Sequence, residues 1–288
     1  MEEKSNTQVQ KKELSPLQLF NRCITNSSTQ EYLQQVLGEK KSSFVNNITA
    51  LVANDSKLQE CKPMSLIYAG IKATALDLPL DQNLGFAYVI PYKLKTGTEA
   101  QFQMGYKGFI QLAIRSGQFR AINVTDVRDG ELIDEDMITG EIKFKRAKNR
   151  ESLPVVGYVA FFSLLNGFSK MSYMTLDEVK AHAKRYSQTY SSTKDWVKAS
   201  SKWTTDFDAM AKKTVLKLLL NRYAPLSVEM RSAVTADQAV INADGMPVNY
   251  VDNEQPDDQT PTQEQIEASV EDKKEEMRQR ESTAPKLL

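Results

Sequence analysis

The sequence predicts an α+β fold in which antiparallel strands occupy the middle of the chain and helices lie before and after them. Segments such as Phe119–Val127 alternate apolar and polar residues, which is the period-two pattern of a strand with one face on a core. Asn166-Gly167 lies between two more strand-like segments, Pro154–Leu165 and Phe168–Met174. This dipeptide predicts a hairpin, because both residues tolerate the positive φ of a type I′ turn. The flanking parts repeat apolar residues every three or four positions, which is typical of amphipathic helices.

The helical N-terminal part is predicted to span residues 14–77. Ser28, with Glu31 three residues later, predicts a capping box for the second helix, and Pro63 predicts the start of the strongest one. A third helix between them carries apolar residues at helical spacing, Phe44, Ile48, Leu51 and Val52. Residues 1–13 are polar and are predicted to be disordered.

The strand-rich core is predicted to span residues 78–174. Its first hairpin joins an apolar strand, 86–94, to a second strand, 99–105, through a Thr-Gly turn. A helix opens directly afterwards at Tyr106-Lys107-Gly108. Glu141–Lys145 alternates as a further short strand.

A basic helical part is predicted over residues 175–243, so that residues 14–243 form a single domain. One helix runs from Thr175 to about Tyr186, and a polar loop follows it. The long helix that ends at Tyr223 is predicted to bury one face, which consists of Met210, Val215, Leu218 and Leu219.

Charge is unevenly distributed, although 37 basic and 37 acidic residues give a net charge of +0. Residues 244–288 contain 12 acidic and 5 basic residues and are rich in Pro and Gln, which predicts a flexible acidic tail. Residues 1–243 therefore carry 32 basic and 25 acidic residues. A basic body with an acidic tail is expected of a nucleic-acid-binding protein, and it fits a soluble domain with a solvated tail equally well.

Several classes of protein are disfavoured. Cys23 and Cys61 are neither closely spaced nor near a histidine, so we expect neither a disulfide framework nor a zinc site. No apolar run reaches the roughly 18 residues of a membrane span and no signal peptide is evident, which predicts a cytoplasmic protein. No G-x-x-x-x-G-K-[ST] phosphate loop is present, so we expect no cofactor and no nucleotide-driven reaction. His182 is the single histidine, and we expect a surface or structural role for it.

One pattern favours an enzyme. Asp134 and Asp136, followed by Glu141 and Lys143, are similar to the D…E-x-K arrangement of metal-dependent nucleases, in which carboxylates bind Mg²⁺. Because E-x-K arises often by chance in a chain of which 26% is charged, an exposed strand of alternating charges is the simpler interpretation. A Mg²⁺-dependent nuclease is thus the alternative to a binding protein without a catalytic site.

Candidate DNA-binding residues are concentrated at the start of the helix at Tyr106 and in residues 170–222, which contain 11 basic and 5 acidic residues. Helix-start amides favour an anion, and we expect Gly105 and Gly108 to let a DNA strand approach the backbone. Lysines recur every four residues from Lys194, so a helix would align them on one face. The predicted DNA-binding residues are Tyr106, Lys107, Arg115, Arg120, Arg128, Lys194, Lys198, Lys202, Trp196, Trp203, Lys212, Lys213, Lys217 and Arg222.

This set combines two kinds of group that suit a single strand. Ammonium and guanidinium groups neutralise phosphates, and aromatic faces stack on bases without demanding a sequence. The alternative is that the cations are solvated and that the tryptophans pack in the core.

Two sequence blocks resemble a known family. Leu78–Tyr92 follows the pattern LPLDxNLGxAYxIPY, and Gln101–Gly117 follows the pattern QFQxGYKGxIxLAxRSG. Together with AMAKKTVLKxLL at Ala209–Leu220, they resemble the RecT family of phage and prophage single-strand annealing recombinases over roughly residues 15–240. The resemblance implies ATP-independent binding and annealing of single-stranded DNA. It also implies a curved antiparallel β-sheet with hairpins, backed by helices, and ring-like or helical homo-oligomers.

We therefore expect several partners. They are single-stranded DNA and the annealed duplex, further copies of the chain, an exonuclease that exposes single strands, and a host single-strand-binding protein at the C-terminal tail. The N-terminal helices at 17–37 and 44–52 are expected to supply the contact between copies. A structural oligomer that binds anions without pairing strands is a third interpretation.

Overall fold

The structure is a computed structural model that describes residues 14–81, 83–94, 97–136, 138–237, 239–241 and 247–250. The N-terminus predicted to be disordered, 1–13, lies outside the described residues, and so does the predicted tail beyond residue 250. Within the described part, no helix is both long and apolar enough to cross a membrane.

The N-terminal part is helical, as predicted. Its helices are α1 (Pro16–Thr25), α2 (Ser27–Leu37), α3 (Lys41–Ala53), α4 (Ser56–Gln59) and α5 (Pro63–Ala75). Ser15 and Gln18 form a capping box at the start of α1, in which each side chain bonds to the other residue's amide. The capping box predicted at Ser28 and Glu31 is wrong, because the N-cap of α2 is Asn26, whose side chain accepts from the amide of Ser28.

The strands form three antiparallel sheets. In the first, β1 (Ala87–Leu94) and β2 (Gly97–Met104) pair along their whole length, as predicted. Two short strands, β8 (Ala239–Ile241) and β9 (Pro247–Tyr250), continue this sheet in the order β1-β2-β8-β9. The sequence did not indicate β8 or β9, because each offers only three or four residues of alternation.

The second sheet has the order β3-β6-β7 and the third is a hairpin of β4 and β5. Their strands are β3 (Phe119–Arg128), β4 (Leu132–Asp136), β5 (Glu141–Phe144), β6 (Val155–Leu164) and β7 (Ser169–Thr175). The third sheet is separate because β4 and β5 pair only with each other among the described strands.

The hairpin between β6 and β7 is confirmed, but its predicted turn type is wrong. Only Gly167 has a positive φ, of 90°, whereas Asn166 does not. The amide of Leu164 donates to the carbonyl of Phe168 at 2.8 Å, which encloses a three-residue loop. A type I turn followed by a left-handed glycine gives this geometry, and it satisfies the strand twist as a type I′ turn does.

The remaining helices surround the sheets. They are α6 (Tyr106–Arg115), α7 (Leu176–Tyr186), α8 (Gln188–Ser191), α9 (Asp195–Ser200), α10 (Lys202–Thr205), α11 (Phe207–Tyr223) and α12 (Val228–Ala236), with one-turn 3₁₀ helices at Gly38–Lys40 and Arg150–Ser152. The predicted α+β class is therefore confirmed. The polar loop predicted before Trp196 contains the short helix α8.

α11 is the central helix, because it packs against both the second sheet and α6. Val215 and Leu219 are buried as predicted, but Leu218 is 42% exposed, so its predicted place in the buried face is wrong. Buried residues of the N-terminal helices, the first two sheets and α11 form one continuous apolar cluster. This core fixes the start of α6 beside the start of α11.

Candidate nucleic-acid interface

A cleft of about 270 Å³ opens where the first sheet meets the start of α6 and the junction of α10 with α11. Four of the predicted DNA-binding residues line it, namely Tyr106, Lys107, Lys202 and Lys213. Lys107 and Lys202 are exposed, Tyr106 is half-buried and Lys213 is buried. The fold thus brings together residues that are separated by about a hundred positions in the sequence.

The start of α6 packs closely on the loop that precedes β1. The amide of Gly105 donates to the carbonyl oxygen of Phe86 at 3.0 Å. A Cβ atom at Gly105 would lie 2.1 Å from the carbonyl oxygen of Gly85, and one at Gly108 would lie 2.2 Å from that of Phe86. The close approach of the chain's own backbone therefore explains why glycine is required at both positions, and their role in admitting a DNA strand stays a prediction.

One face of the β1–β2 ladder contributes to the cleft. Tyr88 and Ile90 of β1 stand opposite Gln103 and Gln101 of β2, so the four side chains lie on the same face. Tyr88, Ile90 and Gln103 line the cleft. No binding motif in the sequence points to these residues, although the alternation of β1 indicates that Tyr88 and Ile90 share a face.

The cleft combines cations, a carboxylate and tyrosine hydroxyls. Asp206 lines it together with Lys107 and Lys202. Burial raises the pKa of Tyr88, and the charges of Asp206 and Tyr106 raise it further. The Tyr88 hydroxyl therefore stays protonated at neutral pH and can donate a hydrogen bond.

Lys213 and Lys217 form a buried ionic cluster with Asp237. Their Nζ atoms lie 2.8 and 2.7 Å from the two carboxylate oxygens, and the side chain of Asp237 is 0% exposed. The amide of Met104, at the end of β2, also donates to Asp237 at 2.8 Å. Burial by itself raises the pKa of Asp237, but the two ammonium groups outweigh burial and hold that pKa below its ordinary value. These two lysines therefore link α11 to β2 and to the segment after α12.

Three other predicted cations also bond to groups of the chain itself. Arg115 donates to the carbonyl oxygen of Leu76 at 2.9 Å and so satisfies the C-terminal end of α5. Arg128 lies 2.5 Å from the carboxylate of Asp126. Lys212 lies 3.4 Å from the carboxylate of Asp208, one turn earlier on α11.

The lysine row at 194, 198 and 202 does not lie on one continuous helix. α9 ends before Ser201, which has extended backbone and caps α10. Lys194 precedes α9, Lys198 lies 5.5 Å from the centre of the Tyr190 ring, and Lys202 begins α10. All three side chains are exposed, but the interruption at Ser201 prevents a common helical face.

The two tryptophans have opposite environments. Trp203 is 5% exposed, and its ring packs against Tyr190 at 6.3 Å and Phe207 at 5.6 Å between centroids. Trp196 is 71% exposed on α9. The geometry therefore makes Trp203 a core residue and leaves the face of Trp196 open to solvent.

Arg120 and Arg222 lie away from the cleft. Arg120 is exposed on β3. Arg222 borders a second groove of about 530 Å³ that β7, the β4–β5 hairpin and the end of α11 form. Arg222 and Lys170 each lie 5.4 Å from the centre of the Tyr223 ring beside this groove. Along α11, Arg222 lies about 18 Å beyond Met210 of the cleft, from the rise of 1.5 Å per residue.

The acidic residues weighed as a nuclease site lie on the β4–β5 hairpin. Asp134 and Lys143 are cross-strand partners 3.4 Å apart, and Asp136 stands opposite Glu141. Asp136 also accepts from the Thr139 hydroxyl at 2.8 Å, which stabilises the turn. Within the described residues, no group of three or more potential ligands could hold a metal ion. The arrangement fits an exposed hairpin of alternating charge.

His182 is half-buried on α7, and its ring lies 4.5 Å from that of Tyr186. Burial lowers its pKa to about 4, and the nearby charges of Lys217 and Arg185 act in the same direction. The side chain is therefore a neutral packing group near the Asp237 cluster.

The region that forms the cleft is similar in sequence to known proteins. The RecT family model matches residues 42–260. The uncharacterized protein YqaK of Bacillus subtilis (strain 168) is 42% identical over 211 residues, which cover 73% of this chain and 69% of that protein. Protein RecT of Escherichia coli (strain K12) is 29% identical over 223 residues, which cover 75% of this chain and 78% of that protein. All the residues that line the cleft lie within the matched region. Because the family model matches most of the chain, the chain belongs to the RecT family of phage and prophage single-strand annealing recombinases.

Proposed function

We propose that this chain binds single-stranded DNA and anneals complementary strands without a nucleotide cofactor and without a catalytic site. Membership of the RecT family supports the annealing role. The observation that carries the proposal is the cleft, where exposed lysines and tyrosine rings converge at the start of a helix. Such a surface neutralises phosphates and offers faces to bases, so it holds a strand without reading its sequence.

The proposed DNA surface consists of five exposed members of the predicted set. Lys107 and Lys202 lie at the cleft, and Lys194, Lys198 and Trp196 extend the surface along α9. Arg120 and Arg222 are outlying cations in this proposal. The residues assigned instead to holding the fold are Arg115, Arg128, Trp203, Lys212, Lys213 and Lys217.

Annealing of two complementary oligonucleotides by the purified chain tests the proposal. We expect duplex formation faster than without protein, in the absence of ATP and Mg²⁺, because only binding and base pairing drive it. No acceleration would contradict the proposal. Labelled strands incubated with Mg²⁺ should keep their length, whereas shortening that Glu141→Ala abolishes would establish the nuclease. DNA binding without faster duplex formation would instead favour the third interpretation, an oligomer that binds anions without pairing strands.

We further propose that the chain assembles on DNA as a homo-oligomer, in a ring or a helix. One cleft holds a short piece of a strand, and head-to-tail contacts repeat it along a longer one. The expectation that the apolar stripe at 44–52 reaches a neighbour is wrong, because Phe44, Ile48 and Val52 are buried in the subunit's own core. What α1 and α2 offer a neighbour is Leu19 and Val36, each 47% exposed.

Light scattering in the presence of DNA tests this contact. Leu19→Glu with Val36→Glu should reduce assembly size and annealing together, with unchanged thermal unfolding because both side chains are already exposed. Assemblies of wild-type size would contradict the contact. Removing residues 1–54 is a poorer test, because it would uncover the core.

We also propose an exonuclease partner, a single-strand-binding protein that the acidic tail recruits, and action in the cytoplasm of a bacterial host.

The tail after Asp252 lies outside the described residues, whereas Pro247–Tyr250 pairs with β8. A truncation after Asp252 should therefore leave the fold intact, as thermal unfolding would show. The truncated chain should no longer capture the host single-strand-binding protein from a purified mixture. Equal capture by the truncated and full chains would contradict a role for the tail.

A further inference from the structure

We propose that the cleft receives one unstacked nucleobase of the bound strand while Lys107 and Lys202 hold the flanking phosphates. The inference rests on the proposed binding of single-stranded DNA. It goes beyond that proposed function because it assigns the base to the cleft and the phosphates to the two lysines. Binding would then depend on the bases and not on the phosphates alone.

The first observation is a buried amide next to the cleft. Gln101 is 4% exposed, and its Nε2 atom has no hydrogen-bond partner among the described residues. A buried donor left in this state is unfavourable, and native folds contain few of them, so a ligand that accepts its hydrogen bond is a physical explanation. Gln101 does not itself line the cleft, but it stands opposite Ile90, which does, and it shares its sheet face with Tyr88 and Gln103.

The second observation is the size and lining of the cleft. Its volume of about 270 Å³ is slightly below the roughly 300–1,000 Å³ of sites for drug-sized ligands, which suits a single heterocycle. Tyr88 and Tyr106 offer aromatic rings, and Met210 offers a thioether that contacts rings favourably. Gln103 adds an amide that can bond to the edge of a base.

The third observation is the position of charge. Asp206 is exposed at the cleft and disfavours a phosphate beside it, but its carboxylate can accept hydrogen bonds from the exocyclic amino groups of bases. Lys107 and Lys202 are exposed, so phosphates can reach them from outside. The carboxylate therefore favours a base beside it, and the two lysines favour the flanking phosphates.

This arrangement separates single strands from duplex. In a duplex every base is stacked and paired, so none enters the cleft without an unstacking cost. A strand would therefore leave the cleft as it pairs. The annealed product would bind mainly through its phosphates.

Affinity for a base-free strand provides the test. The probes are an oligonucleotide of mixed sequence and the abasic oligonucleotide of the same length, which carries the same phosphates. We expect the full-length chain to bind the base-containing strand at least about fivefold more tightly, the size of a single stacked base.

Gln101→Leu makes the test specific. It removes the buried amide at nearly constant volume, so thermal unfolding should be unchanged or higher. We expect it to bind the abasic strand as the wild type does and to lose several-fold of the preference for bases. Tyr88→Leu should act in the same way, and Gln118→Leu, at an exposed glutamine between α6 and β3, should behave like the wild type.

Equal wild-type affinity for the two strands would overturn the inference. So would full preference for bases in both Gln101→Leu and Tyr88→Leu. A wild-type chain that binds neither strand would instead contradict the proposed function, so the two failures are distinguishable.

Discussion

Lys107 and Lys202 at the cleft are exposed, whereas Lys213 on α11 is 4% exposed and Lys217 lies beside the same buried carboxylate, that of Asp237. The two pairs carry the same charge and differ in what they can do. An exposed ammonium group remains available to a phosphate and adds little to stability. A buried one stabilises the fold only through the carboxylate beside it, and removing that carboxylate costs about 3–5 kcal/mol. Position in the fold, more than residue type, thus separates binding from structural lysines.

The largest effect that would sharpen this comparison is on stability. Asp237→Ala should lower the free energy of unfolding by about 3–5 kcal/mol, because it removes the carboxylate from beside two ammonium groups and leaves the Met104 amide without its acceptor. Urea unfolding measures it. Asp177→Ala is the control, because Asp177 is 94% exposed in its pair with Lys180 and should change stability by less than about 1 kcal/mol. Equal effects of the two variants would break the comparison.

The tryptophans extend the comparison to aromatic residues. Trp203→Ala should cost about 3–5 kcal/mol of stability, because it leaves a cavity between Tyr190 and Phe207. Trp196→Ala should leave thermal unfolding unchanged and weaken binding to a single strand by about 1–3 kcal/mol if the ring stacks on a base. Paired unfolding and binding titrations separate the two. Unchanged DNA affinity in Trp196→Ala would remove that residue from the proposed surface.

His182 should make a smaller contribution to the free energy of unfolding, and this contribution depends on pH. Its folded pKa of about 4 lies below the ordinary 6.5, so the unfolded chain takes up a proton at pH values where the folded chain does not. This contribution to stability is therefore complete above pH 6.5 and is lost as the pH falls toward 4. His182→Gln should flatten the dependence of the urea midpoint on pH in this window. A slope as steep as that of the wild type would show that other groups cause it.

The smallest expected effect is at Lys212. Lys212 pairs with Asp208, which lies one helical turn earlier on a partly exposed face of α11. Lys212→Gln should therefore change stability by only about 0.3–0.5 kcal/mol. Single-strand affinity should stay within a factor of about two of the wild type. A large loss of affinity would return Lys212 to the DNA surface and weaken the distinction between paired and open lysines.

Much of the fold follows from local sequence signals. The first hairpin, α6 and the hairpin at Asn166-Gly167 are where the alternation and turn residues predict them. β4 was missed because Leu-Ile-Asp-Glu-Asp offers no alternation, and its pairing with β5 supplies the stabilisation. Short strands such as β8 depend on a neighbour that is distant in the sequence, so local patterns do not reveal them.

The site was less predictable, because burial on α11 depends on two partners. A single apolar stripe predicts Leu218 as buried and Lys213 as exposed, and the structure shows the opposite. Because α11 packs against both a sheet and α6, it buries more of its surface than one apolar stripe predicts. A lysine on the covered side is stabilised by Asp237, twenty or more residues later, and no periodicity in α11 indicates that partner.

The salt dependence of single-strand binding tests the central claim most directly. Lys107→Gln with Lys202→Gln should reduce the slope of log affinity against log salt by about 1.4, since each phosphate contact on a single strand contributes about 0.7. The urea midpoint should not move, because both side chains are exposed. Lys57→Gln with Lys148→Gln removes the same charge from exposed lysines outside the cleft lining and should keep the wild-type slope. A wild-type slope in the Lys107 and Lys202 variant, or an equal reduction in the control, would contradict the assignment of DNA binding to the cleft.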